Sequence, residues 1–141
     1  MHTILVIDDD PQILARLKQL IESIPGFNAL LATNGKLGIE ILMSEPVACV
    51  ILDYQMPAMN GKQFLEAKRV LESKKDIPVI LCSTTNDDIE FWERPLVKGW
   101  ITAFLPKWCT HSELSQLLDE LCIQKLDATV WERTLSERGL L

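Results

Sequence analysis

Five side chains that could take part in metal or phosphoryl chemistry each follow a short apolar segment. Asp8 and Asp9 follow TILVI, Asp53 follows VACVIL, Ser83 follows IPVILC, and Lys107 follows AFLP. Two carboxylates about 4 Å apart repel by about 4 kcal/mol at an effective dielectric near 20, so a cluster of the three aspartates needs a cation. Oxygen ligands with no Cys or His nearby favour a hard ion, with Mg²⁺ as the first choice.

The other side chains acquire roles once such a cation is assumed. Lys107 would supply a second positive charge, and Ser83 would offer a hydroxyl donor. A phosphoryl group could then move in line onto Asp53 and give an aspartyl phosphate. Asp10 precedes Pro11 and is interpreted as a helix N-cap, outside this set.

Alternating strand-like and helix-like segments would bring these residues together. The predicted strands are 3–7, 29–32, 47–52, 77–82 and 101–105. The predicted helices run from 11 to 24, from 37 to 43, after Gly61, from about 87 to a break or kink at Pro95, and from 114 to 121. This alternation indicates an α/β fold with a parallel sheet, in which ligands bind at the carboxyl edge of the strands.

Composition narrows the class of protein. The chain has 141 residues, enough for one domain, and its 20 acidic and 14 basic residues give a net charge of −6. That charge argues against direct nucleic-acid binding, which needs a clustered basic face. The first residues, MHTILVIDDD, lack the features of a signal peptide, and no apolar run is long enough for a membrane span. We therefore expect a cytoplasmic protein without a membrane contact.

Four sequence blocks carry a resemblance to a known family. ILVIDDDP, VILDYQMPAMNG, IPVILCST and AFLPK resemble the signature blocks of bacterial two-component response-regulator receiver domains. They occur in the family's order over about residues 3 to 122, and the D-x-x-M-P-x-M-x-G block is the most specific of them. The resemblance implies a five-stranded parallel sheet of flavodoxin-like, doubly wound type, with strand order 2-1-3-4-5 and helices on both faces.

The same resemblance implies a role for each site residue. Asp53 would be the phosphoacceptor, and Ser83 and Lys107 would contact the phosphoryl group. Mg²⁺ would be bound directly by Asp9, Asp53 and the backbone carbonyl of Gln55, and chiefly through water by Asp8.

The resemblance also implies a switch and a set of partners. Phe104 occupies the family's switch-aromatic position and would respond when Ser83 moves toward the phosphate, altering the face made by the fourth helix, fifth strand and fifth helix. The phosphoryl donor would be a sensor histidine kinase or a histidine phosphotransfer protein. The readout would be a downstream protein or an output domain. Such a protein catalyses only its own phosphotransfer and autodephosphorylation.

Two features depart from the family pattern. Receivers usually have proline after the lysine, whereas Lys107 is followed by Trp108. The region from the predicted fourth helix onward is also rich in aromatic residues, including Trp92 and Trp100. Together with Trp108, these rings either fill gaps in the core or form a partner or homodimer surface.

Two other functions compete with a phosphorylated receiver. One is a pseudo-receiver that signals by protein contact alone, which the altered Lys107-Trp108 loop favours. The other is a magnesium phosphohydrolase with an aspartate nucleophile, although such enzymes typically carry a second acid where this chain has Gln55. We predict a receiver domain over 1–125, and an extension or a linker to an absent output domain over 126–141. The sequence leaves open whether the receiver stands alone or was cut from a longer regulator.

Overall fold

A computed structural model describes residues 1–53, 59–83, 99–126 and 129–137. The strands are β1 (His2–Ile7), β2 (Phe27–Ala32), β3 (Cys49–Asp53), β4 (Val79–Ser83) and β5 (Ala103–Pro106). The helices are α1 (Pro11–Glu22), α2 (Gly35–Ser44), α3 (Gly61–Arg69), α4 (His111–Leu118) and α5 (Thr129–Glu137), and a π-helical turn, Asp119–Ile123, continues α4. The helix predicted from about residue 87 lies outside the described residues.

The five strands form one parallel sheet in the order β2-β1-β3-β4-β5. This confirms the predicted doubly wound fold and its strand order. The register aligns Ile7 with Leu52, Asp53 with Cys82, and Ser83 with Pro106. The carboxyl ends of the three neighbouring strands β1, β3 and β4 therefore lie side by side, together with the end of β5.

Strand residues alternate between two cores because successive side chains point to opposite faces of a sheet. Val6 and Ile51 pack with residues of α1 and α4, such as Leu17 and Leu114. On the other face, Leu5, Ile7 and Leu52 pack with residues of α2 and α3, including Leu42 and Phe64. Both faces are covered, and this explains why β1 and β3 read as continuous apolar runs. All four cysteines are buried and free.

Several predicted strand boundaries were wrong by one or two residues. Asp53 and Ser83 are the last residues of β3 and β4, not the first residues of the following loops, because pairing with the neighbouring strand continues through them. β4 begins at Val79, after Pro78, which lacks the N–H that a central strand needs. The two site residues are thus held by the sheet itself.

Local sequence explains how α1 begins next to the acidic residues. The Asp10 carboxylate accepts a hydrogen bond from the Gln12 N–H at 2.8 Å, and Pro11 occupies the first turn. The predicted N-cap is therefore confirmed. α1 starts three residues after Asp8, so the beginning of the helix is held next to the carboxyl end of β1.

The C-terminal helix α5 packs on β5 at the end of the sheet. The Phe104 N–H donates to Thr134 Oγ1 at 2.9 Å, and the Thr134 hydroxyl is also 2.9 Å from the Val130 carbonyl. Arg133 pairs with the buried Glu120 carboxylate at 2.6 Å. The described part of the 126–141 segment is therefore in contact with the sheet. Within the described residues, no helix combines the length and apolarity that crossing a bilayer requires.

Candidate phosphoacceptor and metal site

Three aspartates meet at the carboxyl edge of the sheet. Oxygen atoms of Asp8, Asp9 and Asp53 all lie within 4.8 Å of one another. Asp8 and Asp53 are 2% and 6% exposed, whereas Asp9 is exposed to solvent. The Asp10 N–H donates to Asp8 Oδ1 at 2.9 Å, which fixes the orientation of that carboxylate. The predicted acidic cluster is thus present, with one solvent-facing member.

Lys107 reaches the same cluster from the end of β5. Its Nζ is 3.3 Å from Asp8 Oδ2 and 3.3 Å from Asp53 Oδ2, and the side chain is 13% exposed. Burial tends to lower the pKa of Lys107, but the Asp53 and Asp8 carboxylates outweigh it and leave the pKa raised. Lys107 is therefore a cation shared between two buried acids.

Burial has the opposite consequence for Asp8. Burial raises its pKa, and the Asp10 amide and Lys107 offset only part of that effect, so the pKa of Asp8 stays above the ordinary value for Asp. Asp9 adds to the rise through its negative charge. The environment therefore resists full ionisation of the cluster unless more positive charge is supplied.

A count of formal charges shows how much positive charge the acidic cluster needs. Three ionised carboxylates and one ammonium leave a formal charge of −2. At the 4.8 Å limit of their separation, each carboxylate pair repels by about 3.5 kcal/mol at an effective dielectric near 20. Oxygen donors from three carboxylates match a hard divalent cation such as Mg²⁺. The residues present therefore fit the metal predicted from the sequence.

The loop that carries Lys107 is a short turn. The Cys109 N–H donates to the Pro106 carbonyl at 3.1 Å, so Lys107 and Trp108 are the two central residues of a four-residue turn. No cis peptide bond occurs among the described residues. The missing proline after Lys107 therefore does not keep the ammonium from the two carboxylates.

The remaining predicted site residues are placed to different degrees. Ser83 ends β4 opposite Pro106 in the register, and its side chain lies outside what the structure describes. Phe104, the predicted switch aromatic, is 2% exposed and packs in the core shared with α2 and α3. Gln55 and Trp92 lie outside the described residues.

The two described tryptophans of the predicted interface differ. Trp100 is half-buried against the core, with the Arg69 guanidinium 5.0 Å from its ring centroid. Trp108 is 60% exposed, and the Arg16 guanidinium lies 5.5 Å from its ring. Trp100 therefore packs partly against the core, while Trp108 lies at the surface beside the site.

Sequence reasoning missed Arg16, which contacts the Lys107 turn from α1. Its guanidinium donates to the Cys109 carbonyl and covers Trp108. The available signal was weak: Arg16 flanks the apolar stripe of α1, but nothing in the spacing identifies a partner 93 residues away. Long-range side-chain contacts of this kind need the folded structure.

Comparison with protein families decides where this arrangement belongs. A family model described as the response regulator receiver domain matches residues 4–119. The chain belongs to this family. The receiver domain is a signalling domain of two-component systems, and the predicted resemblance is therefore confirmed.

The matches to individual relatives cover most of this chain but only part of each relative. The sensor histidine kinase GacS of Pseudomonas protegens is 29% identical over 116 residues, which is 82% of this chain and 12% of GacS. The nitrate/nitrite response regulator NarL of Escherichia coli is 36% identical over 88 residues, 62% of this chain and 41% of NarL. The chain thus spans less than half the length of either curated relative.

One solved structure that this chain resembles was determined with Mg²⁺ and BeF. The response regulator TrrA from Thermotoga maritima, determined in complex with Mg²⁺ and BeF, is 27% identical with a TM-score of 0.72. The match covers 86% of this chain and 99% of that one.

Proposed function

We propose that this receiver accepts a phosphoryl group on Asp53 from the phosphohistidine of a sensor histidine kinase or histidine phosphotransfer protein. The observation that carries the proposal is the placement of the Asp53 carboxylate, which ends a central strand 3.3 Å from the Lys107 ammonium and beside Asp8 and Asp9. Family membership supports this reaction class, as does a similar response regulator that was determined with Mg²⁺ and BeF.

The proposed step is an in-line displacement at phosphorus. An Asp53 carboxylate oxygen forms the new P–O bond while the P–N bond to the donor imidazole breaks, and that bond's electron pair remains on the imidazole nitrogen. The sheet holds Asp53 in place, and Lys107 offers its ammonium to the incoming phosphoryl oxygens. The chain's contribution is therefore position and charge.

Asp8, Asp9 and Asp53, with the backbone carbonyl of Gln55, are the proposed holders of Mg²⁺. The support is the −2 charge left by three carboxylates and one ammonium, together with an all-oxygen donor set. When bound, Mg²⁺ offsets the repulsion between an anionic phosphoryl group and an anionic carboxylate. The Lys107 ammonium would then interact with both the carboxylates and the phosphoryl group.

The proposed output is a change in the surface around β5. Phosphorylation replaces one negative charge by about two and adds strong acceptor oxygens, so conformers that bring Ser83 and Lys107 close to them gain population. Phe104 lies two residues before the end of β5, is buried, and bonds to α5 through its N–H. A rearrangement at the site would therefore alter the surface around β5, where α5 packs and where we propose that downstream partners bind.

One experiment tests the proposal. The protein is incubated with Mg²⁺ and acetyl phosphate, and separately with Mg²⁺ and beryllofluoride; intact mass and NMR then detect an adduct. We expect an adduct in the wild type, none in Asp53→Ala, and an undiminished one in the control Asp119→Ala, whose carboxylate is exposed on the π-helical turn. An adduct that survives Asp53→Ala, or none in the wild type, refutes the proposal.

The experiment also separates the competing functions. A folded wild type that forms no adduct yet binds a partner would be a pseudo-receiver. Steady turnover of unrelated phosphoesters would indicate a phosphohydrolase. The pairing of Lys107 with both carboxylates counts against the first of these, because the altered Lys107-Trp108 loop still delivers its charge.

A further inference from the structure

The turn that presents Lys107 has a side-chain clamp. The backbone bond from Cys109 to Pro106 closes the turn, and Cys109 is buried in the core, but neither contact involves the Trp108 side chain. Trp108 is largely exposed, and among the described residues the Arg16 guanidinium lies against its ring. Side-chain contacts to the turn from α1 therefore add to what positions Lys107 relative to Asp8 and Asp53.

Arg16 holds it from α1. One guanidinium nitrogen, Nη2, donates to the Cys109 carbonyl, and the guanidinium carbon lies 5.5 Å from the Trp108 ring centroid. A single planar group thus contacts the backbone of Cys109 and the ring of Trp108 at once, a pair of contacts for which a rigid guanidinium is better preorganised than a flexible ammonium. The other nitrogen, Nη1, is also buried.

The helix that carries Arg16 is anchored at the acidic cluster. α1 is capped by Asp10, whose N–H donates to Asp8. Asp8 in turn is 3.3 Å from Lys107. These contacts close a ring from Asp8 through α1 and Arg16 to the turn and back through Lys107. Each contact in the ring restrains the distance between the lysine and the acids.

We infer that Arg16 is a positioning residue that sets the distance from Lys107 to the acidic cluster by gripping the Trp108–Cys109 half of the turn. For phosphotransfer the inference rests on the proposed function. For metal binding it rests only on the proposed Mg²⁺ site and not on phosphotransfer, since it concerns how closely an ammonium is held against the carboxylates of that site.

The inference predicts two effects of opposite sign. When the clamp is removed, Lys107 withdraws, so the phosphoryl group loses its partner and phosphorylation slows. The same withdrawal removes a cation that competes for Asp8 and Asp53, so Mg²⁺ binds more tightly. A general loosening of the fold would weaken both, because it would also disperse the acids.

The test compares Arg16→Met with Arg69→Met. Arg69 also covers a tryptophan ring, that of Trp100, but on the surface of α3, so it is a matched control. Mg²⁺ affinity is measured by isothermal titration calorimetry, and the rate of Asp53 phosphorylation with acetyl phosphate at saturating Mg²⁺. We expect Arg16→Met to slow phosphorylation about tenfold, since a misplacement of about 1 Å can cost about a hundredfold. We expect it to tighten Mg²⁺ binding about threefold, which is about 0.6 kcal/mol of relieved competition.

Two further variants complete the design. Arg16→Lys keeps the charge and a hydrogen-bond donor but loses the planar fork, so its effects on both readouts should lie between those of the wild type and Arg16→Met. Trp108→Leu, at an exposed position, should shift both readouts in the same directions by a smaller factor, and it serves if Arg16→Met does not fold.

The outcomes that overturn the inference are distinct from failure of the proposed function. In Arg16→Met, an unchanged Mg²⁺ affinity or a fall in both the Mg²⁺ affinity and the phosphorylation rate would each overturn it. If the wild type takes up no phosphoryl group, the proposed function fails, and the Mg²⁺ measurement still decides the role of Arg16.

Discussion

Replacing the buried Lys68 by methionine should stabilise the protein at neutral pH. Lys68 lies on α3 and is 4% exposed, and its Nζ donates to the Lys75 carbonyl at 2.8 Å. Burial lowers the pKa of Lys68 from 10.5 to about 8, although Asp76 and Cys49 act in the other direction. The folded state therefore holds an ammonium less favourably than water does. Methionine has a similar shape and needs no solvation.

The magnitude follows from the pKa difference. The interval between about 8 and 10.5 corresponds to about 3 kcal/mol of lost stability while Lys68 is protonated in both states. Methionine gives up a hydrogen bond worth about 1 kcal/mol, so the net gain at pH 7 should be about 2 kcal/mol. Because the folded-state pKa is the lower one, the penalty is complete below pH 8 and declines as the pH rises toward 10.5. The advantage of methionine should thus fall by about 2 kcal/mol between pH 7 and pH 9.5.

Urea unfolding at both pH values provides the assay. The control is Lys62→Met on the same helix, where the lysine is half-exposed, lies 4.0 Å from Glu66, and should change stability little. Comparing each variant with the wild type at the same pH removes the contribution of every other titrating group. A Lys68→Met protein that is no more stable at pH 7, or whose advantage is the same at pH 9.5, would refute the reasoning.

Three other predictions concern stability. Mg²⁺ at about a hundred times its dissociation constant should raise the unfolding free energy by about 2.7 kcal/mol, and Asp53→Ala should reduce this rise; calorimetric melting with and without Mg²⁺ measures both. Gly38→Ala should destabilise by about 1–3 kcal/mol in urea, because the new methyl group would lie 2.5 Å from Ile7 Cδ1; an increase in stability would show that the helix preference for alanine dominates. Thr134→Val should cost about 1–2 kcal/mol and speed hydrogen exchange at the Phe104 amide, whereas unchanged exchange would mean that α5 does not protect it.

The sequence predicted most of the fold because the relevant signals are local. Hydrophobic periodicity can be seen without tertiary information, in the apolar runs around Val6 and Ile51 and in the apolar stripe through Leu17. The same residues are those that the structure buries. Strand order came from the family resemblance. Boundaries shifted because pairing decides where a strand ends: Asp53 looks like a loop residue in isolation, yet its pairing with the next strand makes it part of β3.

The sequence predicted which residues lie together at the site, but not the residues that contact and position them. Asp8, Asp53 and Lys107 each follow an apolar run, so topology alone brings them to one edge. Arg16 and Thr134 were not foreseen, because an arginine on an amphipathic helix and a threonine near the C-terminus are ordinary surface choices. Their importance depends on partners 93 and 30 residues away, which no spacing rule identifies.

The packing of α5 on β5 changes how binding at this end of the sheet should be measured. A terminal strand is a natural template for strand addition, and here its Phe104 N–H is already engaged by the protein's own helix. A partner that needs the same strand competes with a ligand tethered at very high effective concentration. Every 1.4 kcal/mol of helix docking lowers the partner's apparent affinity about tenfold. Affinities measured on chains that end before and after Thr129 should therefore differ by the docking free energy of α5.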